Sequence, residues 1–311
     1  MIWIIFPIVA AFGYTISNFI NNYIIDTALK RKSPEALQVG YILVPILVIT
    51  FLLAFFGFDV FSFRNPNSLI LFAAGFIGVF GALPYFNALR LEETFSVTIF
   101  AQSSPLIALM LGTTILGEQI TGNQSLAFIL IFAAIFIIIV TTKRPRHSNK
   151  INIKSALFVF VACLIWTSAN VIFMLGVDAN TPELLGNSIA WRALGSLVGL
   201  ASMMLFKRQW VRTLKNAIKG RNVKYAVFLF ISNCTDAFSE IFARIGIVLA
   251  PAISIMSVTS NISQLFFTFV LGIFLSILWP KFGREKLTKR VLLSHLVAVV
   301  LAISGVILLN T

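Results

Sequence analysis

Ser232-Asn233-Cys234-Thr235-Asp236-Ala237-Phe238-Ser239-Glu240-Ile241-Phe242-Ala243-Arg244 sits inside an apolar run from Tyr225 to Ala250 that is long enough to cross a bilayer. Asp236, Glu240 and Arg244 are spaced i, i+4, i+8, so on a helix they form one stripe while Phe238, Ile241 and Phe242 face elsewhere. A charge near the middle of a membrane helix costs roughly 2.5–3.5 kcal/mol on insertion scales, so the stripe must face a bundle interior or a water-filled cavity. Other helices of the chain have to surround it.

Composition agrees. Of 311 residues, 59% are hydrophobic, 31 are Phe and only 11% are charged, which excludes a soluble globular domain. The net charge of +13 would suit nucleic acid, but the basic residues lie in short connections between apolar runs, where membrane topology accounts for them, so no nucleic-acid partner is expected. Cys163 and Cys234 fall in separate apolar runs without metal-like spacing, which argues against a disulfide framework or a zinc site. The histidines are His147 in a linker and His295 in the last apolar run, and there is no Walker, kinase or hydrolase motif. The expectation is no cofactor, no metal and no enzymatic activity. The first apolar run lacks a basic n-region and carries Tyr14, Ser17, Asn18, Asn21 and Asn22, so it reads as a retained helix rather than a signal peptide.

Apolar runs bounded by charge, Pro and Gly divide the chain into ten segments near the ~20 residues a spanning helix needs. They cover 2–25, 38–58, 68–89, 95–116, 125–142, 155–177, 186–206, 225–249, 252–278 and 292–309. The expected fold class is an all-α polytopic membrane protein with ten transmembrane helices. Tyr14-Thr15-Ile16-Ser17-Asn18 in segment 1 echoes Trp166-Thr167-Ser168-Ala169-Asn170 in segment 6, and Ser33-Pro34-Glu35 echoes Thr181-Pro182-Glu183. The chain then reads as two five-helix copies, 1–145 and 150–311. An odd number of helices per copy makes the copies enter the membrane in opposite directions, an inverted repeat. In this alignment Tyr85 pairs with Glu240, so the charged stripe belongs to the second copy alone.

Orientation follows from the linkers. Lys30-Arg31-Lys32, then Lys143 to Lys154, then seven cations from Lys207 to Lys224, then Lys281 to Arg290 all follow odd-numbered segments. Linkers after even-numbered segments carry almost none apart from Arg64. Positive-inside places the odd-numbered linkers in the cytoplasm and both termini outside. Between Lys207 and Lys224, Trp210, Val211, Leu214, Ala217 and Ile218 recur at helical spacing among cations, as in an interfacial helix on anionic lipid or a solvated basic loop.

Polar side chains gather at similar depth: Tyr14, Asn18 and Asn21; Asn87; Gln102, Ser103 and Ser104; Trp166 and Asn170; Asn233; and Thr259, Asn261 and Gln264. One such residue is usual interhelical glue, but their concentration in segments 1, 3, 4, 6, 8 and 9 points to a central cavity. Segment 7 adds Arg192. Arg192 and Arg244 against Asp236 and Glu240 give formal neutrality, which suits either bracing ion pairs or a carboxylate that binds and releases a proton. Glu240 has Arg244 one turn away, which leaves Asp236 as the first candidate for proton or substrate and Glu240 as the second.

Ala88-Leu89, Gln102-Ser103-Ser104-Pro105 and Leu116-Gly117-Glu118-Gln119-Ile120-Thr121 resemble the EamA-type proteins of the drug/metabolite transporter superfamily. Trp191-Arg192 and Ser304-Gly305-Val306-Ile307-Leu308 resemble the same family in the second half. The second copy departs from it, with no Gly-Glu after segment 9 and a longer Trp279 to Glu285 linker, and Ala133-Ala134 stands where the family has glycine. The resemblance implies ten helices in two inverted repeats, with helices 1, 3, 4, 6, 8 and 9 around the substrate. It also implies that helices 5 and 10 lie at the periphery, where they mediate association, so the protein would be a monomer or homodimer. Such proteins are drawn with both termini in the cytoplasm, opposite to the linker charges here.

The expected function is a secondary carrier of the inner membrane, moving a small polar or zwitterionic metabolite such as an amino acid by alternating access, proton-coupled, with export favoured. Its partners are that small-molecule substrate and membrane lipids. The expected substrate contacts are Tyr14, Asn18, Tyr85, Gln102, Trp166, Asn170, Arg192, Asn233, Asp236, Glu240 and Asn261. An importer of a metabolite or amine, and a non-transporting scaffold or lipid-binding subunit, remain as alternatives.

Overall fold

A computed structural model describes residues 2–31, 33–62, 66–92, 94–119, 121–141, 153–218 and 223–279, together with 293, 297, 300, 301, 304, 305 and 308. Among these residues the chain is helical, with no strand. Eight helices are long and apolar enough to cross a membrane: α1 (Ile2–Thr27), α2 (Ala36–Phe61), α3 (Ser68–Leu91), α4 (Ser96–Leu116), α6 (Ile153–Gly176), α7 (Pro182–Phe206), α8 (Val223–Leu249) and α9 (Ile253–Leu278). Between α4 and α6 lies α5 (Gly122–Thr141). Segment 292–309 and the basic linkers 142–152 and 280–292 fall outside the described residues, apart from single positions.

Local chemistry sets the helix ends and breaks. Thr181 caps α7 by accepting from Leu184 N at 3.3 Å, ahead of Pro182 at the first helical position. Thr121 and Gln124 form a reciprocal capping box at the start of α5, at 3.0 and 3.2 Å. Pro45 interrupts α2 between Ala36–Gly40 and Leu43–Phe56. Pro105 does the same to α4, whose helix runs to Ala101 and restarts at Ser104. Because Pro105 has no N–H, the Ala101 carbonyl one turn earlier loses its helical donor. The Cys163 thiol of α6 approaches that carbonyl at 3.7 Å, so the kink is closed by a neighbouring helix.

The bundle is built by close approach at small residues. α7 packs along α3, α1 along α8 and α9, and α6 along α3 and α4. Gly75 of α3 lies against the Arg192 carbonyl and Gly195 of α7 against the Phe72 carbonyl, so a Cβ at either position would collide with backbone. Gly13 brings α1 equally near to Thr235 and Ser239 of α8. Large apolar side chains face outward, with Phe58 86% and Phe206 84% exposed, a surface that only lipid would solvate well.

Residues Arg208–Ile218 form a short helix between α7 and α8, the helical one of the two readings open from the sequence. Its apolar side is turned to the bundle rather than to lipid: Leu214 is buried, and Trp210, Val211 and Ala217 pack with Ala36, Leu37 and Val39 of α2. Arg208, Arg212 and Lys215 stay exposed.

Candidate functional site

The interior polar residues enclose a cavity of about 310 Å³ bordered by α1, α2, α3, α4, α6, α7, α8 and α9. Nine of the expected site residues line it: Tyr14, Asn18, Tyr85, Trp166, Asn170, Arg192, Asp236, Glu240 and Asn261. Gln102 and Asn233 do not. Gln102 is 2% exposed and its amide donates to the Thr98 carbonyl at 3.1 Å and the Asn261 carbonyl at 3.3 Å, tying the α4 break to α9. Asn233 is fully buried and donates to the Leu229 carbonyl of its own helix at 2.6 Å. Both therefore lie behind the cavity wall, held by backbone carbonyls.

Two electrostatically different halves meet in this cavity. On one side, Glu240 is the shared partner of both arginines: Arg192 Nε lies 3.1 Å from its Oε1, and Arg244 reaches Oε1 at 3.0 Å and Oε2 at 3.2 Å. Tyr14 donates its hydroxyl to Glu240 Oε2 at 3.0 Å, and Asn170 Oδ1 accepts from Arg244 at 2.6 Å. Both guanidinium groups also lie against the Phe173 ring, 5.5 and 5.8 Å from its centroid. Two cations on one carboxylate leave this cluster with one formal positive charge.

On the other side, one helical turn away, the described contacts of Asp236 are hydroxyl groups. Ser17 donates to Asp236 Oδ2 at 2.6 Å, and Tyr41 also lies against this carboxylate. Ser17 lies 2.8 Å from Ser232, which donates to Asn21 Oδ1 at 3.0 Å. The Asn21 amide in turn donates to Ser17 at 3.0 Å and to Tyr41 at 2.6 Å. The arginines therefore do not divide themselves between the two acids, as formal neutrality alone would allow. Glu240 engages both.

An aromatic wall joins the halves. The rings of Tyr85 and Trp166 lie 5.2 Å apart, and Gly81 lets the Trp166 indole sit directly on the α3 backbone. The sequence reading left α2 out of the polar segments, yet Gln38 and Tyr41 both border the cavity, and Gln38 donates to the Val79 carbonyl at 2.8 Å. Their polarity inside the apolar run, about two turns and one turn before Pro45, was the available signal. Ser260 and Gln264 of α9 complete the polar rim.

The Gly117-Glu118 pair lies away from the cavity lining. Gly117 adopts the left-handed conformation, with φ of 70°, and the Glu118 carboxylate accepts from Ile253 N at 2.5 Å and Ser254 Oγ at 2.8 Å. It caps the N-terminus of α9 from the other half of the chain.

Among known proteins, the sequence pattern of the EamA-like transporter family, part of the drug/metabolite transporter superfamily, matches residues 1–140. One solved protein crystal structure, 13% identical, superposes with a TM-score of 0.58, covering 96% of this chain and 94% of its own. That likeness is one of fold over nearly the whole length. No curated protein matches the sequence.

Proposed function

We propose that this multi-pass membrane protein, whose residues 1–140 carry the EamA-like transporter pattern, is a secondary carrier for a small amphoteric metabolite such as an amino acid. The observation that carries the proposal is the division of charge in one cavity at mid-span. The arginine pair has one charge in excess and suits a carboxylate, while Asp236 has hydroxyl partners and suits an amine or a proton. The Tyr85–Trp166 wall supplies an apolar face for a side chain between them.

Alternating access would arise from two inverted halves, 1–145 and 150–311, rocking about this site. The reciprocal packing supports such a pair: α1 lies on α8 and α9 as α6 lies on α3 and α4. Asp236 is the coupling carboxylate in this reading, since Glu240 is held by both arginines and by Tyr14. Inner-membrane location, export as the working direction, cytoplasmic odd-numbered linkers and association through segments 5 and 10 complete the proposal.

Saturation of Glu240 favours a second reading, in which the charged stripe only braces α7 to α8 in a scaffold. A thermal-shift screen of the purified protein against the twenty amino acids and simple amines separates the two. At a hundredfold excess over Kd, a ligand stabilises by about 2.7 kcal/mol. The carrier predicts a raised Tm with at least one amphoteric solute, reduced in Arg192→Leu relative to that variant's own baseline. No shift with any solute supports the scaffold.

A further inference from the structure

Asp236 lies in a chamber of alternating donors and acceptors drawn from three helices. Ser17 and Asn21 come from α1, Tyr41 from α2 and Ser232 from α8; Ser17, Asn21 and Ser232 are fully buried and Asp236 is 5% exposed. Each hydroxyl carries one proton and two lone pairs, so the direction of a hydroxyl chain can reverse without orphaning a member. With Asp236 ionised, Ser17 donates to it. With Asp236 protonated, the carboxyl donates to Ser17, whose own proton turns to Ser232 or Tyr41 at 2.8 and 3.4 Å. Either state is satisfied.

Asn21 breaks the equivalence between a proton and a metal ion. Its Oδ1 accepts from Ser232, so both amide N–H groups point into the chamber, at the oxygens of Ser17 and Tyr41. An alkali cation needs lone pairs from those same oxygens and would face the positive ends of two N–H dipoles. A proton on Asp236 needs no such exposure.

We propose that Ser17, Asn21, Tyr41, Ser232 and Asp236 form a proton-specific coupling site, in which the Asn21 amide excludes sodium. The assignment rests on reading Asp236 as the coupling carboxylate. The other ionisable groups of the cavity are Glu240 and Arg244 on α8, Tyr14 on α1, Tyr41 on α2, Tyr85 on α3, the Cys163 thiol on α6 and Arg192 on α7. Glu240 and the two arginines are bound to one another, which leaves Asp236 as the carboxyl free to exchange a proton without breaking an ion pair.

Infrared spectroscopy of the purified full chain in lipid nanodiscs, titrated with pH and with no solute present, reads this site directly. In choline chloride the wild type should show a protonated-carboxyl C=O band that fades with rising pH, is lost in Asp236→Asn and persists in Glu240→Gln. Replacing choline by sodium should leave the titration unchanged. In Asn21→Asp, where one carboxylate oxygen replaces the NH2 group that makes both donations, sodium should deplete the band at fixed pH. Sodium depletion of the wild-type band, or a full band in Asp236→Asn, overturns the proposal. A sodium-independent titration in folded Asn21→Asp overturns the role of Asn21; if that variant does not fold, the wild-type arms decide. Because no solute is added, an intact band in a protein that transports nothing refutes the carrier and leaves the proton site standing.

Discussion

Arg192 Nε lies 3.1 Å from Glu240 Oε1, a contact that ties α7 to α8 across 48 residues of sequence. Arg192 is held from behind as well, since its backbone carbonyl abuts Gly75 and its guanidinium donates to the Ala169 carbonyl at 3.2 Å. The position of this cation in the cavity is therefore set by three helices.

Glu240→Gln leaves two nearly buried guanidinium groups facing one another without a counter-charge. Breaking a buried pair by removing one partner costs about 3–5 kcal/mol, and the lower end applies because the Glu240 side chain keeps 26% exposure to the cavity. A thermal-unfolding series should show a large fall in Tm for Glu240→Gln and a smaller one for Asp236→Asn, whose amide oxygen still accepts from Ser17. Equal Tm values would mean that the arginines do not depend on Glu240.

Gly75→Ala and Gly195→Ala place a methyl group into facing backbone, and overpacking of this kind costs about 1–3 kcal/mol. Gly122→Ala, with open space around it, is the neutral control. Unfolding in detergent checks the ranking, and indistinguishable stabilities would argue against the close α3–α7 approach.

Helix limits were largely legible in the sequence, because a bilayer demands long apolar runs and charge or Pro punctuates them. The run read as 68–89 is Ser68–Leu91, and that read as 225–249 is Val223–Leu249. The i, i+4 pair of Glu240 and Arg244 was legible for the same reason of regular spacing. The claim of Arg192 on Glu240 was not, since it depends on how α7 docks, and docking is decided by Gly75 and Gly195 meeting carbonyls. Gln102 and Asn233 do not line the cavity: the Gln102 amide donates to the Thr98 and Asn261 carbonyls beside the α4 break, and the Asn233 amide to the Leu229 carbonyl of its own preceding turn. Gln38 and Tyr41 were missed because two polar residues at the very start of an apolar run are too few to mark a face.

Glu118→Ala removes the carboxylate that caps α9 from the linker after α4. Loss of a cap costs about 1 kcal/mol, and the charge–dipole contribution vanishes with it. Hydrogen exchange should rise at the first turn of α9, from Ile253, while the cavity helices α1 and α7 keep wild-type protection. Unchanged exchange at Ile253 to Met256 would contradict the cap.

The Tyr85–Trp166 wall predicts a split between affinity and coupling. Trp166→Ala removes the ring that meets both Tyr85 and Gly81, so solute-induced thermal shifts should shrink while the Asp236 carboxyl band is retained. Loss of both together would place the aromatic wall within the proton chamber.

In the proposed carrier, Asp236 couples protons to solute movement. Proteoliposomes with a pH-sensitive dye trapped inside, challenged with an amino-acid mixture, test it most directly. Wild-type vesicles should show a lumenal pH change on solute addition, and Asp236→Asn should slow it roughly tenfold or more while keeping a near-wild-type Tm. A wild-type rate of proton movement in Asp236→Asn would contradict the account.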